Sequence, residues 1–137
     1  GASPVILSDV VDERLHVGLR VGADVVVNAT RESLADTVMQ LTGGRGAHLA
    51  FECSGVGRVL DDVLHLVSRG GRVCLGAFSN DPALLDVGYI VTNNIYLYGI
   101  RGEGQSAVRK AASLLAQGKY DPSPIHTHTT PSLSRVG

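Results

Sequence analysis

Residues 4–27 read PVILSDVVDERLHVGLRVGADVVV and contain one complete strand–helix–strand repeat. The first run, Pro4–Asp9, is short, apolar and unalternating, which is typical of a strand buried on both faces of a parallel sheet. An amphipathic helix is predicted from about Asp12 to Gly22, because apolar positions recur at spacings of three and four and a glycine follows them. Val25–Val27 is predicted to form the next strand.

The same alternation continues along the chain. Further strands are predicted at Leu49–Cys53, Arg72–Leu75 and Ile95–Ile100. Three more helices are predicted: one from Leu34 that stops at Gly43-Gly44, one from Leu60 that stops at Gly70-Gly71, and one over Val108–Leu115 that ends near Gly118. The stretch containing Pro82 and Gly88 shows no clear pattern. Strands that alternate with helices predict an α/β fold, a Rossmann-like doubly wound parallel sheet.

Composition narrows the function classes. With 137 residues, 44% hydrophobic and 18% charged, the chain is long enough for one globular core. The net charge is −1 and the basic residues are scattered, so neither a nucleic-acid surface nor a membrane-binding face is expected. Cys53 and Cys74 lie in apolar runs, so both are predicted to be reduced core cysteines, as in a cytoplasmic protein.

Ligands of open α/β sheets bind beyond the carboxyl ends of the strands. Asp9 follows the first strand, where a carboxylate can accept hydrogen bonds from the two hydroxyls of an adenosine ribose and disfavour a 2′-phosphate. A helix-capping aspartate is an equally good interpretation. Arg14, one turn further on, either lies over the same ribose or is a solvated helix residue.

Turns rich in small residues follow three later strands, in the runs Cys53-Ser54-Gly55, Gly76-Ala77-Phe78 and Gly99-Ile100-Arg101-Gly102. Small side chains let a flat ligand approach the backbone, and glycine adopts positive φ without strain. Each run by itself is most often only a turn. Their repetition at one edge of the sheet favours a ligand site.

These motifs, in this order, resemble the cofactor domain of zinc-dependent medium-chain alcohol and polyol dehydrogenases, most of all the threonine and sorbitol dehydrogenase branch. The resemblance is carried by Ser8-Asp9 through Arg14-Leu15 to Gly22-Ala23-Asp24, then Leu41–Ala47, Phe51–Gly55, Gly70–Val73, Tyr98–Ile100, Asp121-Pro122 and Thr127-His128-Thr129. It implies an oxidoreductase that uses NAD. It also implies roles along the cofactor: Asp9 and Arg14 at the adenosine ribose, Cys53 and Ser54 beside the adenosine half, Leu75, Gly76 and Ala77 at the nicotinamide, and Ile100, Arg101 and Gly102 along its carboxamide edge.

The sequence departs from that family in one respect. The family places a strand and a Gly-x-Gly-x-x-Gly turn before the strand that carries Asp9, and no such turn precedes that strand here. The glycine-rich run Gly99–Gly104, between a strand and a helix, is an alternative place for an anion, but its spacing is not that of the family turn. We therefore expect a partial dinucleotide-binding domain at residues 1–119 and, at residues 120–137, an exit segment toward an absent catalytic domain that would hold the zinc. No catalytic residue is predicted. No metal site is predicted either, because His126 and His128 lack a third ligand nearby.

The missing strand would belong in the middle of the sheet, between Val5–Ser8 and Leu49–Cys53. Its absence leaves three alternatives: direct pairing of these two strands, association of two chains, or a poorly folded fragment. We expect a homodimer, through the open central edge or through the last strand, Ile95–Ile100. The predicted function is a partial NAD-binding domain, inactive as an isolated chain. The alternative is a non-catalytic module that binds a nucleotide weakly or acts only through self-association.

Overall fold

The computed structural model describes residues 1–79, 81–102, 104–126, 128–129 and 131. Two compact units account for them: residues 1–30 with 104–137, and residues 31–103. The described strands are β1 Ile6–Asp9, β2 Val25–Asn28, β3 Ala47–Glu52, β4 Val67–Leu75 and β5 Tyr96–Gly99. The described helices are α1 Asp12–Arg20, α2 Leu34–Thr42, α3 Gly57–Leu66, α4 Val87–Asn93 and α5 Gly104–Ala116, with a 3₁₀ turn at Ser123–Ile125.

The first unit contains the parallel pair of β1 and β2, in a register that sets Asp9 opposite Asn28. Helix α1 packs on this pair through Gly18, where an added Cβ would overlap the Leu7 side chain. A larger residue at this helix–strand contact would require the Leu7 side chain to move. Asp12 and Glu13 occupy the first turn of α1, where negative charge complements the helix dipole. Thr127, part of the motif at the end of the chain, lies outside the described residues.

The second unit contains a three-stranded parallel sheet in the order β3-β4-β5. Its core is formed by Leu64, Val67, Val73 and Ile95, with Leu64 and Val73 fully buried. The predicted α/β class with parallel strands is confirmed. The strands form two sheets, however, and no hydrogen-bonded ladder joins β1 to β3 among the described strands.

The prediction that Gly70-Gly71 stops the third helix was wrong. Helix α3 ends at Leu66, and β4 begins at once with Val67, which pairs with Ala47. Residues 68–71 then leave the ladder before Arg72 rejoins it opposite Leu49. An added Cβ on Gly71 would lie 2.7 Å from the carbonyl oxygen of Ser68, so glycine permits a tight excursion inside the strand.

Helix α4 was not predicted. It is short, and Gly88 lies in its first turn, where a weak helix former hides the pattern. The Asp86 side chain caps it by accepting a hydrogen bond from the backbone N–H of Tyr89 at 2.7 Å. Asn94 ends it in the left-handed conformation, with φ of 53°.

The prediction of two core cysteines holds for one of them. Cys74 is buried, whereas Cys53 is exposed, because β3 ends at Glu52 and Cys53 already lies in the following turn. Both thiols are free. No helix within the described ranges is long and apolar enough to cross a membrane.

Candidate functional site

A cleft of about 410 Å³ lies where β3, β4 and β5 end. The three strands are parallel, so their carboxyl ends meet at one edge of the sheet, where open α/β folds bind ligands. The volume lies within the range of small-molecule sites. The lining residues are Glu52, Gly55, Val56, Gly57, Leu60, Leu75, Ala77, Phe78, Ser79, Ala83, Gly99, Ile100 and Arg101.

The wall beyond β3 is organised by Glu52, whose residue is only 5% exposed. One carboxylate oxygen, Oε1, accepts hydrogen bonds from the backbone N–H of Ser54 at 2.6 Å and from the Ser54 hydroxyl. The N–H of Gly55 lies 3.3 Å from each of the two carboxylate oxygens. A buried carboxylate is costly unless it is hydrogen-bonded, and here the turn that follows provides the donors.

Glycines bring the turns around the cleft close together. Gly55 has φ of 69°, and an added Cβ would lie 2.8 Å from the carbonyl oxygen of Phe78. An added Cβ on Gly57 would lie 3.0 Å from the Cβ of Ala83. The turn before α3 therefore packs directly against the loop after β4, and larger residues would push these two walls apart.

The opposite wall follows β5. The Ile100 N–H donates to the carbonyl oxygen of Leu75 at 3.0 Å, which extends the β4–β5 ladder to the cleft. Arg101 comes next, is exposed, and forms no ion pair with another residue in the described part of the chain. The cleft thus combines a largely apolar lining with the buried Glu52 carboxylate and the exposed Arg101 side chain.

The thiol of Cys53 lies beside this cleft. Partial burial raises its pKa, and the negative charge of Glu52 and the neighbouring Cys74 raise it further. The thiol form is therefore favoured over the thiolate, which is the nucleophilic form of cysteine. Cys53 is thus not prepared for nucleophilic catalysis.

Asp9 and Arg14 lie in the other unit. Oδ1 of Asp9 accepts hydrogen bonds from the backbone N–H groups of Val10 at 2.7 Å and Val11 at 3.0 Å, immediately before α1. Its Oδ2 lies 3.5 Å from the Arg14 guanidinium, whose side chain is 70% exposed. Asp9 therefore shapes the turn that leads into the helix, but it does not cap α1, whose N-cap position is Val11 without a side-chain capping hydrogen bond. Its role at a ribose stays a prediction.

Sequence reasoning missed a buried polar cluster in the same unit. Asn28, which is 2% exposed, donates from Nδ2 to the Asp12 carboxylate at 2.7 Å. Its Oδ1 accepts from the N–H and the hydroxyl of Thr30, at 3.0 and 2.6 Å. The cluster links the carboxyl end of β2 to the start of α1. Its signal was a polar residue directly after Val25–Val27, the pattern that had singled out Asp9.

The predicted residues of the second unit fall in or next to the cleft. Leu75, Ala77, Ile100 and Arg101 line it directly. Cys53, Ser54, Gly76 and Gly102 are chain neighbours of lining residues. Sequence reasoning missed Glu52 because a charged residue at a strand end is usually solvated. It also missed Leu60 as a lining residue, which only the packing of the turns reveals. Phe78, in the run singled out after the fourth strand, lines the cleft.

Metal ligands do not cluster in the described part of the chain. No group of three or more His, Cys, Asp or Glu side chains there is arranged to hold a metal ion. Nε2 of His126 lies 3.3 Å from the Thr129 hydroxyl.

Comparisons with known proteins identify relatives of one family. A family described as zinc-binding dehydrogenase matches residues 1–117. The chain is 35% identical over 130 residues to L-threonine 3-dehydrogenase of Pyrococcus horikoshii, an alignment that covers 93% of this chain and 37% of that protein. The chain thus spans little more than a third of the length of that relative.

Solved structures show the same similarity. An alcohol dehydrogenase from Thermus sp. ATN1 superposes with a TM-score of 0.86 at 26% identity, over 93% of this chain and 37% of that one. An alcohol dehydrogenase zinc-binding domain protein from Burkholderia ambifaria superposes with a TM-score of 0.79 at 26% identity, over 88% and 34%. The family match extends over most of the residues, and the chain belongs to the zinc-binding dehydrogenase family.

Proposed function

We propose that this chain supplies the NAD-binding part of a zinc-dependent alcohol or polyol dehydrogenase. The observation that carries the proposal is the cleft where β3, β4 and β5 end, lined by small and apolar residues. Membership of the zinc-binding dehydrogenase family supports the choice of a nicotinamide cofactor. When bound, that cofactor accepts a hydride from the alcohol carbon.

The residues of the second unit fit one half of a dinucleotide. Gly55 and Ala77 leave the backbone accessible, and Leu60, Leu75 and Ile100 provide apolar contact that excludes water from a flat ring. Arg101 places a positive charge at the cleft, which suits the anionic phosphates of a dinucleotide. In this proposal, these residues bind the cofactor and orient it. The described cleft contains no titratable group arranged as a proton acceptor for an alcohol.

The preference for NAD over NADP is assigned to Asp9. Its carboxylate follows β1, and its charge would repel a 2′-phosphate. Arg14, whose guanidinium lies 3.5 Å from the Asp9 carboxylate, is assigned to the same ribose.

We further propose that a protein of these 137 residues alone is inactive and binds NAD more weakly than about 1 mM. The sequence has no Gly-x-Gly-x-x-Gly turn to donate N–H groups to the pyrophosphate. Each such charge-assisted hydrogen bond contributes about 1.5–3 kcal/mol. The described residues also offer no three-ligand metal site, so no step is assigned to zinc within them.

Two measurements test this proposal. Calorimetric titration with NAD should give a dissociation constant in the millimolar range, and absorbance should show no alcohol-dependent NAD reduction with zinc present. Micromolar affinity would show that another group replaces the phosphate-binding turn. Zinc-dependent NAD reduction would contradict the proposed inactivity.

Self-association is a second candidate function, favoured by one observation. β3 pairs with β4 on one side, and no described strand pairs with its other edge. Leu49 and Phe51 on this strand are 46% and 61% exposed. An apolar strand with a free edge favours pairing with another chain, and a second copy is the simplest partner.

A further inference from the structure

Glu52 occupies an unusual position for a carboxylate. It is the last residue of β3, lines the cleft and is almost fully buried. No Lys, Arg or His in the described part of the chain forms an ion pair with it. All four of its side-chain hydrogen bonds come from Ser54 and Gly55, so its charge is compensated by two adjacent residues, through their backbone N–H groups and the Ser54 hydroxyl.

The hydrogen bonds continue from this carboxylate into the next helix. The Ser54 hydroxyl donates to Glu52, and its oxygen accepts the N–H of Val56 at 3.1 Å. Val56 is the residue immediately before α3, and its side chain makes no capping hydrogen bond to that helix. The main-chain oxygen of Glu52 accepts the N–H of Gly76 at 2.8 Å, which holds the end of β4. One residue thus connects the end of β3, the start of α3 and the end of β4.

The turn held by Glu52 needs such a restraint. Gly55 has a positive φ, and glycine at that position has wide conformational freedom when it is not held. Its backbone also packs against the carbonyl oxygen of Phe78, so a shift of the turn would open or fill the cleft. If the Ser54 and Gly55 N–H groups were released from the Glu52 carboxylate, this wall of the cleft would therefore change shape.

We propose that Glu52 is a positioning residue of the cleft: its carboxylate holds Cys53–Gly55 in the conformation that binds the dinucleotide. The effect on ligand affinity rests on the proposed function, whereas the effect on the turn does not. Oε1 accepts the hydrogen bonds from Ser54 and shares the Gly55 N–H with Oε2, which lies 3.3 Å from it. Glutamine keeps the size of the side chain but replaces one acceptor with a donor that faces the Gly55 N–H.

The test compares Glu52→Gln with Glu13→Gln, a matched change at an exposed position on α1. In the ¹⁵N-labelled chain, Glu52→Gln should shift the Ser54 and Gly55 amide resonances. It should also weaken NADH binding about tenfold, because one charge-assisted hydrogen bond is lost. It should also lower the pH midpoint of Cys53 alkylation, because the Glu52 charge is one cause of the raised pKa of that thiol. Glu13→Gln should change none of these.

The outcomes separate the two proposals. If NADH causes no amide shift at the cleft of the unsubstituted chain, the proposed function fails. The role of Glu52 is then decided by the Ser54 and Gly55 amide resonances and by the pH midpoint of Cys53 alkylation. Unchanged values for both in Glu52→Gln would overturn that role. Should Glu52→Gln not fold, Ser54→Ala retains the carboxylate and removes the link to Val56. Weaker NADH binding by Ser54→Ala is expected, and unchanged binding would overturn the proposal.

Discussion

At the scale of single residues, two neighbouring side chains at the end of β3 differ in their burial. Glu52 is buried and accepts hydrogen bonds, whereas Cys53 is exposed and its pKa is raised. The aspartate that ends β1 and the asparagine that ends β2 are likewise occupied by local backbone or side-chain partners. Polar residues at strand ends in this chain first stabilise turns, and any ligand must use the atoms and charges that are left.

Cys53 gives a prediction about pH. Because burial and the nearby Glu52 charge raise its pKa, the thiolate fraction at a given pH should be smaller in the folded chain than in the unfolded one. The rate of Cys53 alkylation by iodoacetamide, followed by mass spectrometry from neutral to alkaline pH, should therefore have a higher midpoint in buffer than in concentrated urea. A folded midpoint equal to or below the unfolded one would contradict the described surroundings of the thiol. Buried Cys74 should react slowly in buffer and serves as an internal control.

At the scale of elements, α4 depends on its cap. Asp86→Ala removes the acceptor for the Tyr89 N–H and should lower the free energy of unfolding by about 1 kcal/mol. Urea denaturation measures the change. Asp86→Asn is the matched control, since asparagine caps helices as well as aspartate does, and it should retain most of the stability. An alanine variant as stable as the unsubstituted chain would show that α4 does not depend on this bond.

The elements also show how far the sequence alone could predict the structure. Strands β1 to β5 and helices α1, α2, α3 and α5 were all predicted, because their hydrophobic periods are clear and glycines follow several of them. Helix α4 was missed because a side-chain cap, rather than periodicity, defines it. The start of β4 was missed because Gly70-Gly71 resembles a helix stop, whereas the pairing of Val67 with Ala47 is a long-range contact.

The candidate site was predictable to a similar extent. Residues at strand ends, such as Leu75 and Ile100, follow from the rule that parallel strands end at one edge. The burial of Glu52 and the contact of Gly55 with Phe78 depend on how turns pack, which no local pattern records.

At the scale of the whole molecule, self-association through β3 can be tested directly. Sedimentation should give a dimer for the unsubstituted chain, and Leu49→Lys, which places a charge on the free strand, should give a monomer. Leu84→Lys is the control: Leu84 is 94% exposed and lies outside the strands, so this variant should stay dimeric. A monomeric unsubstituted chain, or a dimeric Leu49→Lys variant, would contradict the assignment.

The central claim is that the cleft beyond β3, β4 and β5 binds the dinucleotide. Titration of the ¹⁵N-labelled chain with NADH, followed by amide chemical shifts, tests it most directly. The account predicts saturable shifts at Gly55, Ala77 and Ile100, with a dissociation constant weaker than about 1 mM. Absence of saturable shifts at these residues up to roughly ten millimolar NADH, or saturable shifts only elsewhere in the chain, would contradict it.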